Sequence, residues 1–291
     1  VKPPAFSYVR AGTPEEAVAL LARHGGEAKA LAGGQSLVPL MNFRLARPGV
    51  LVDIGRLDTL AYVSERDGAL AIGALTRQAA VEDSPLAARR CPLLVEATRL
   101  VGHRPIRNRG TVGGSLAHAD PAAEYPAVLL ALEGEVTARG PRGERVIPAA
   151  RLFRSVFATS LEPDELLTEV RLPAAPPRSG AAFVELSRRH GDYAIVGVAA
   201  VVALDSAGRC REARLALAGV AGTPVRCAEA EQLLQGTSGE EAVLDEAGRR
   251  CAASVEPRGD LHASPAYRKA MVAVFVRRAL RLAFRRATGG S

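Results

Sequence analysis

Two glycine pairs set the terms for what the first half of this chain can become. Ala32-Gly33-Gly34-Gln35-Ser36 and Thr111-Val112-Gly113-Gly114-Ser115 each place two residues without side chains beside a hydroxyl. Glycine admits positive φ and lets backbone amides approach a charged group with no Cβ in the way. Successive amides in such a turn form an anion-binding nest. A single Gly-Gly turn is only a turn. Two near-matching ones, each read as leaving a strand, are better explained as two edges of one diphosphate site, with Ser36 and Ser115 as hydroxyl donors. Neither pair is followed by the Lys-Ser/Thr of a triphosphate-binding Walker loop. The first does not open into the long crossover helix of a Rossmann unit, because Pro39 and Pro48 interrupt the helix that would follow it.

The rest of the pattern alternates short strands and helices. A helix starts at Thr13 as N-cap and Pro14 as first residue, with Glu16 placed to close a capping box and Gly25 to end it. "AKALAGG" and "PGVLVDIG" read as short strands, and the stretch from Leu60 to Ile72 as a hairpin turning at Asp67-Gly68. Short helices follow within 75–85 and 91–102, and another runs from about Ala122 to Leu132. "EVTARGPRGERVIPA" is a second hairpin, and "LLTEVRLP" one more strand. Residues 174–180, "AAPPRSG", interrupt both the helical and the strand period and read as a linker. Beyond it lie "AAFVELSRRHGDYAIVGVAAVVALD" and "CREARLALAGV" as antiparallel strands, then the helix "VRCAEAEQLLQG". The long final helix, "AYRKAMVAVFVRRALRLAFRRA", mixes arginines with apolar residues at helical spacing, so one face packs on the last sheet and a basic face stays wet.

Composition removes several function classes. The net charge of +7 is almost all arginine, with lysine only at Lys2, Lys29 and Lys269, and aromatic residues make up 4%. Scattered arginines with few rings to stack on bases argue against a nucleic-acid-binding protein. Cys91, Cys210, Cys227 and Cys251 are far apart with no C-x-x-C spacing, so the chain holds neither a zinc nor an iron–sulfur motif. Four free thiols fit a reducing compartment, and "VKPPAFSYVR" lacks the apolar core of an export signal. The apolar run from Ala194 is about half of the ~20 residues a membrane span requires. The expectation is a cytoplasmic protein with no transmembrane segment.

"LAGGQSLVPLMNFRLARP", "RNRGTVGGSLAHADPAAEYPAVLLAL" and "RRHGDYAIVGVAAVV" together resemble the FAD-binding medium subunit of molybdenum hydroxylases. The carbon monoxide dehydrogenase medium subunits are nearer in pattern, and the flavin domain of xanthine dehydrogenase more distant. The resemblance runs over nearly the whole chain. It implies an α+β fold: a vanillyl-alcohol-oxidase-type FAD-binding domain of two α/β subdomains (1–57 and 58–176), then a C-terminal sheet-plus-helix domain (177–291) covering part of the flavin. By the same resemblance, Ala32 through Ser36 clasp the pyrophosphate of noncovalent FAD, with Leu31 and Leu37 beside them and Thr111 through Ser115 as the second loop. Lys29 matches a frequent family lysine, and a solvated surface lysine accounts for it equally well. Glu124 matches a carboxylate that binds ribityl or ribose hydroxyls, although aspartate is commoner there. Tyr193 corresponds to the residue beside the isoalloxazine ring, and Leu167 is a further cofactor-binding position. Glu185 stands where several relatives carry lysine, so no cationic contact to the flavin comes from it. His118 and His190 are weak candidates for lining the cavity, and His103, His118 and His190 do not cluster at ligand spacing.

The function implied is electron transfer. A molybdopterin-containing large subunit would hydroxylate the substrate, a small subunit would carry two [2Fe–2S] clusters, and this chain would pass the electrons through FAD to NAD⁺, a quinone or O₂. No metal site and no catalytic side chain is expected here, since the chemistry is the cofactor's. The alternative is a stand-alone FAD-dependent oxidase of the same fold, which needs a general base over the ring.

Overall fold

The computed structural model describes residues 2–290. The first 53 residues hold a small parallel sheet. Strand β1 (Ser7–Arg10), helix α1 (Pro14–His24), strand β2 (Ala28–Leu31), helix α2 (Leu37–Asn42) and strand β3 (Val50–Asp53) assemble with strand order β1-β3-β2 and both pairings parallel. Strand β1 escapes sequence reading because it lies at the sheet edge and leaves three of its four residues exposed, so no alternation marks it. Helix α1 starts as expected: the Thr13 hydroxyl accepts from the Glu16 amide at 3.1 Å. The Glu16 carboxylate reaches back to the Gly12 amide at 2.7 Å, one residue before the partner a capping box would give it. Ala17, Val18, Leu20 and Leu21 then bury the inner face of α1 in a cluster with Val52 and Ile54.

The second unit is built on an antiparallel sheet. A hairpin of β4 (Val63–Arg66) and β5 (Ala69–Gly73) turns at Asp67 and Gly68, both at positive φ as a two-residue primed turn requires. Five helices follow: α3 (Gln78–Glu82), α4 (Pro85–Arg90), α5 (Pro92–Thr98), α6 (Arg104–Arg107) and α7 (Val112–His118). Helix α8 (Glu124–Ala131) is buried at every residue. After the hairpin β6 (Glu135–Gly140) and β7 (Gly143–Pro148) come α9 (Ala149–Leu152), the short pair β8 (Phe153–Ser155) and β9 (Ala158–Thr159), and strand β10 (Leu166–Leu172). Strand β10 enters the middle of the sheet, giving the order β4-β5-β10-β6-β7.

The last unit is a four-stranded antiparallel sheet of β11 (Ser179–Leu186), β12 (Val196–Leu204), β13 (Cys210–Ala218) and β14 (Val225–Arg226). Helices α10 (Ala228–Leu234), α11 (Glu241–Ala253) and α12 (Pro265–Ala287) complete it. All nine residues of β12 are buried. Val198, Ala200 and Val202 face the cluster made with α12, whereas Ala199 and Val201 join the cluster of α8 and the second unit. Burial on both faces explains the continuous apolar run of this strand. Among the described residues no helix is long and apolar enough to cross a membrane. The wet basic face expected of α12 is partly occupied. Arg277 pairs with Asp245 at 2.9 Å and Arg281 with Glu241, both on α11, while Arg278 lies over the Phe275 ring at 4.9 Å. Helix α11 has no counterpart in the sequence reading, so these partners were not foreseen.

Candidate functional site: a cleft between two glycine loops

Where β2 ends, the chain turns through Gly33 and Gly34 and enters α2. Gly34 sits at φ 72°, in the left-handed region. Its carbonyl accepts the Val38 amide at 3.2 Å. The amides of residues 33–37 have no acceptor among the described residues. Ser36 occupies the N-cap position of α2, yet its hydroxyl caps nothing. Five consecutive free donors and a hydroxyl not spent on the helix therefore line one wall of a cleft of about 990 Å³.

The second glycine pair is built differently from the expectation. Thr111 meets Arg77 only in an isolated bridge, and Gly113 and Gly114 lie in the first turn of α7, with the Thr111 hydroxyl accepting from the Gly114 amide at 3.1 Å. The Val112 amide donates to Thr76, Gly113 to Ala74 and Ser115 to Thr111, at 3.1, 2.8 and 3.1 Å. These four donors are all occupied within the protein. The reading of a second strand-and-nest is thus corrected: Thr111-x-Gly-Gly is a helix start, because a threonine N-cap serves the orphan amides that a nest would leave open. What this segment offers the cleft is a surface without side chains at Gly113 and Gly114, plus the Ser115 side chain.

The glycines mainly let chain approach chain. A Cβ on Gly33 would point at residues 109–110, 2.8 Å from the Arg109 carbonyl carbon and 2.9 Å from the Gly110 Cα. A Cβ on Gly113 would stand 2.8 Å from the Ala74 Cα. Arg77 reinforces this seam: its guanidinium donates to the Arg109 carbonyl at 2.5 Å and to the Gly55 carbonyl at 3.3 Å, so one side chain joins the end of β3 to the approach of α7. Nothing in the sequence distinguishes Arg77 from the many other arginines.

At the far end of the cleft, acidic groups gather around the start of α8. Glu124, its first residue, lines the cleft and is only 3% exposed. Burial, followed by the Glu185 carboxylate and Asp120, pushes its pKa up to about 8 against the pull of its own backbone amide. Asp120 is raised by burial, with the Ala122 amide donating to it at 2.9 Å, and burial holds His118 below the ordinary histidine range. The His118 ring stacks on Phe157 at 4.8 Å, and both line the cleft. Tyr193, arriving from the loop before β12, closes this end. Half of its surface is open to the cleft, but protein surrounds it at the longer range that sets desolvation. Burial and then Asp120 drive its phenol up to about 12, opposed by the Ser36 hydroxyl that approaches it. The last sheet unit and the first glycine loop thus meet across the opening.

Two family descriptions match nearly the whole length: FAD binding domain in molybdopterin dehydrogenase over residues 4–175, and CO dehydrogenase flavoprotein C-terminal domain over residues 181–283. The chain belongs to the FAD-binding medium-subunit family of molybdenum hydroxylases. It is 48% identical over 287 residues to the 6-hydroxypseudooxynicotine dehydrogenase complex subunit alpha of Paenarthrobacter nicotinovorans, covering 99% of this chain and 97% of that one. Carbon monoxide dehydrogenase from Hydrogenophaga pseudoflava, solved lacking the Mo-pyranopterin moiety of its molybdenum cofactor, superposes with a TM-score of 0.95 at 39% identity, covering 98% and 99% of the two chains. Quinoline 2-oxidoreductase from Pseudomonas putida 86 gives 0.93 at 34% identity, with 99% of each chain covered. The chain is accordingly a flavoprotein subunit of an oxidoreductase, with the α+β architecture of that family.

Most of the family-derived positions reach the cleft: Lys29 at its rim, Ala32 through Leu37, Thr111, Gly113, Gly114, Ser115, Glu124, Leu167 and Tyr193. Leu31 and Val112 do not line it. Leu31 packs beneath Gly34 and Val112 is sealed in the core. His190 also stays outside, because its ring stacks on His103 at 6.0 Å, a pairing that sequence spacing did not reveal. Sequence reasoning missed the third wall, from Phe157 through the β9–β10 connection to Leu166. These residues carry no motif, and only the insertion of β10 into mid-sheet brings them to the cleft. Among the described residues no three metal-binding side chains gather, and all four cysteines are free and buried.

Proposed function

We propose that this chain is the electron-transfer flavoprotein of a heterotrimeric molybdenum hydroxylase. In this reading a molybdopterin large subunit oxidises the substrate and a small subunit relays electrons through [2Fe–2S] clusters. The present chain delivers them to an external acceptor, NAD⁺, a quinone or O₂. The observation that carries the reading is the row of free amides at residues 33–37 opening on a cleft of about 990 Å³. FAD, bound without a covalent link, supplies the electron-accepting chemistry. The chain's own work is placement. The amides of 33–37 and the hydroxyls of Ser36 and Ser115 receive the diphosphate, Glu124 serves a sugar hydroxyl, Leu167 packs on the cofactor, and Tyr193 shields the ring end from water. Lys29 at the rim adds positive charge beside the diphosphate. Leu31 and Val112 act by holding the two loops in shape. Residues 1–57, 58–176 and 177–291 serve as the two halves of the cofactor site and its cover. Buried free thiols fit a cytoplasmic complex.

The stand-alone oxidase would need a base over the ring, and the His118 imidazole is instead stacked on Phe157 at 4.8 Å. The test is direct. The purified chain should take up FAD and show the oxidised-flavin spectrum, yet oxidise no aromatic or aldehyde substrate. Co-expression with the genes for the large and small subunits should yield a complex containing molybdenum and iron. Substrate oxidation by the chain with FAD alone would overturn the proposal.

A further inference from the structure

Arg268 does not line the cleft, yet hydrogen bonds lead from it to the Tyr193 end. It is the fourth residue of α12 and only 5% exposed. A buried cation near a helix N-terminus opposes the helix dipole and loses hydration, so its partners must offset both costs. Its Nη1 donates to the Ile195 carbonyl at 2.7 Å and to the Gly219 carbonyl at 2.8 Å, and its Nη2 to Asp260 at 2.6 Å. Asp260 is fixed in turn by the amides of His262 and Ala263, at 2.9 and 3.0 Å. The guanidinium Nε is sealed without a partner, a further cost, so the worth of the residue lies in what its Nη atoms hold. Ile195 and Gly219 stand just beyond the end of the β12–β13 ladder, where Gly197 faces Ala218. A Cβ on Gly219, at φ 78°, would be 2.6 Å from the Ala194 oxygen and 2.9 Å from the Ile195 oxygen, so the two segments touch. From this seam the Gly219 amide donates to Pro121 at 2.8 Å and the Ala194 amide to Ala122 at 3.3 Å. Tyr193 adjoins the seam at Ala194, and Pro121 and Ala122 lead into α8 at Glu124.

We infer that Arg268 is a positioning residue for the flavin end of the cleft: it locks residues 194–195 to Gly219, so that Tyr193 and the turn before Glu124 are held together before FAD arrives. The inference rests on the FAD reading and on the shielding role it gives Tyr193. The tyrosine is 54% exposed, so packing of its own side chain does little to fix it. Upstream, the Asp192 amide and the Ser187 hydroxyl both donate to Arg189, which keeps those bonds inside the loop. The bonds to the second unit lie downstream, at Ala194 and Gly219, and these are the segments that Arg268 joins. Two carbonyl oxygens converging on one nitrogen repel each other unless a donor stands between them. A planar fork that serves both carbonyls and a carboxylate at once is arginine's geometry, which a lysine ammonium reproduces only in part. A shield held in this way costs less to order when the ligand binds.

The experiment compares R268M, R268K and D260N with wild type in the full chain, by two readouts. In the ligand-free protein, amide hydrogen exchange at Ala194 and Gly219 should quicken about tenfold or more in R268M, as bonds to a charged group are lost. The Val276 amide, in the middle of α12, controls for global loss of stability and should quicken less. In the FAD-bound protein, acrylamide, a neutral collisional probe, should quench flavin fluorescence severalfold more strongly in R268M. R268K should fall between wild type and R268M in both readouts. D260N, which leaves the guanidinium and both carbonyls in place, should move both readouts in the same direction by less, and carries the test should R268M not fold. In a Y193A background R268M should add no further quenching, because the shield is already gone; a residue that merely supports the fold would add its effect again. Exchange at Ala194 and Gly219 no faster relative to Val276 than in wild type, or an undiminished R268M effect in the Y193A background, would overturn the inference. Failure of the wild-type chain to bind FAD would instead overturn the functional reading, while the exchange rates would still decide whether Arg268 holds the seam.

Discussion

Gly33 is the position where a single methyl group tests the architecture of the site. Its missing Cβ points at the backbone of Arg109 and Gly110, with carbon atoms at 2.8 and 2.9 Å and the Arg109 oxygen nearer still. Ordinary contact begins at 3.4 Å, so Gly33→Ala forces the two segments apart by about 0.5 Å or more. The obstacle is backbone and cannot rotate away. The neighbouring bonds resist as well, since Gly110 accepts the Gln78 amide at 2.9 Å and Arg109 accepts the Arg77 guanidinium. Overpacking of this kind costs about 1–3 kcal/mol. A chain somewhat larger than a 250-residue domain loses roughly 2–4 °C in Tm per kcal/mol, giving a fall of roughly 2–12 °C. Because the displaced segment carries the free amides, FAD affinity should drop by about tenfold or more, as each 1.4 kcal/mol of misplaced binding energy is a decade. Thermal denaturation and FAD titration of Gly33→Ala read both effects. Gly222→Ala is the control, because its Cβ would meet only Val156 at 3.5 Å. Unchanged Tm and unchanged affinity in Gly33→Ala would show that the seam yields freely and that its closeness does not shape the site.

Two further outcomes follow from the same geometry. Ser36→Ala and Ser115→Ala should each weaken FAD binding by roughly one to two decades, the worth of a hydrogen bond to a charged group at about 1.5–3 kcal/mol; unchanged affinity in both would leave the hydroxyls as turn residues. The ligand-free fold should lose stability as pH rises. Glu124 and Glu185 are raised from 4.5 to about 8 and about 7, so the stability they contribute is full below about pH 4.5 and declines as pH rises through those folded values. The double variant E124Q/E185Q should therefore lose less Tm than wild type between about pH 5 and about pH 9, and parallel curves would refute the assignment.

How much of this was readable beforehand divides along physical lines. Thr13 capping α1 and the Asp67-Gly68 hairpin rest on local rules, in which a few adjacent residues fix their own geometry, and both appear as expected. Strand β1 and helix α11 are held by tertiary partners and show little pattern of their own. The family resemblance supplied the architecture and the cofactor because three motifs in order are specific to it. It did not distinguish the roles of the two glycine pairs. That difference lies in which amides already have acceptors, and the acceptors at Ala74 and Thr76 come from a hairpin some 35 residues earlier in the chain.

The two glycine segments therefore divide the labour of one site. The first keeps its donors free by turning sharply at a left-handed Gly34 before α2 begins. The second gives up its donors to the Thr111 cap and to residues 74–76, and in return becomes rigid and flat enough for the first to lie against. Free amides are effective toward an anion only if they are held in place before it arrives, since ordering a mobile loop on binding subtracts from affinity. Here the holding is done by close backbone contact on the side of Gly33 that faces residues 109–110 and by the Arg77 bridge to the Arg109 carbonyl. This also explains why similar sequences produce unlike structures: Ala-Gly-Gly-Gln-Ser has no hydroxyl three residues before its second amide pair to act as an N-cap, whereas Thr111 stands three residues before Gly114 and claims it.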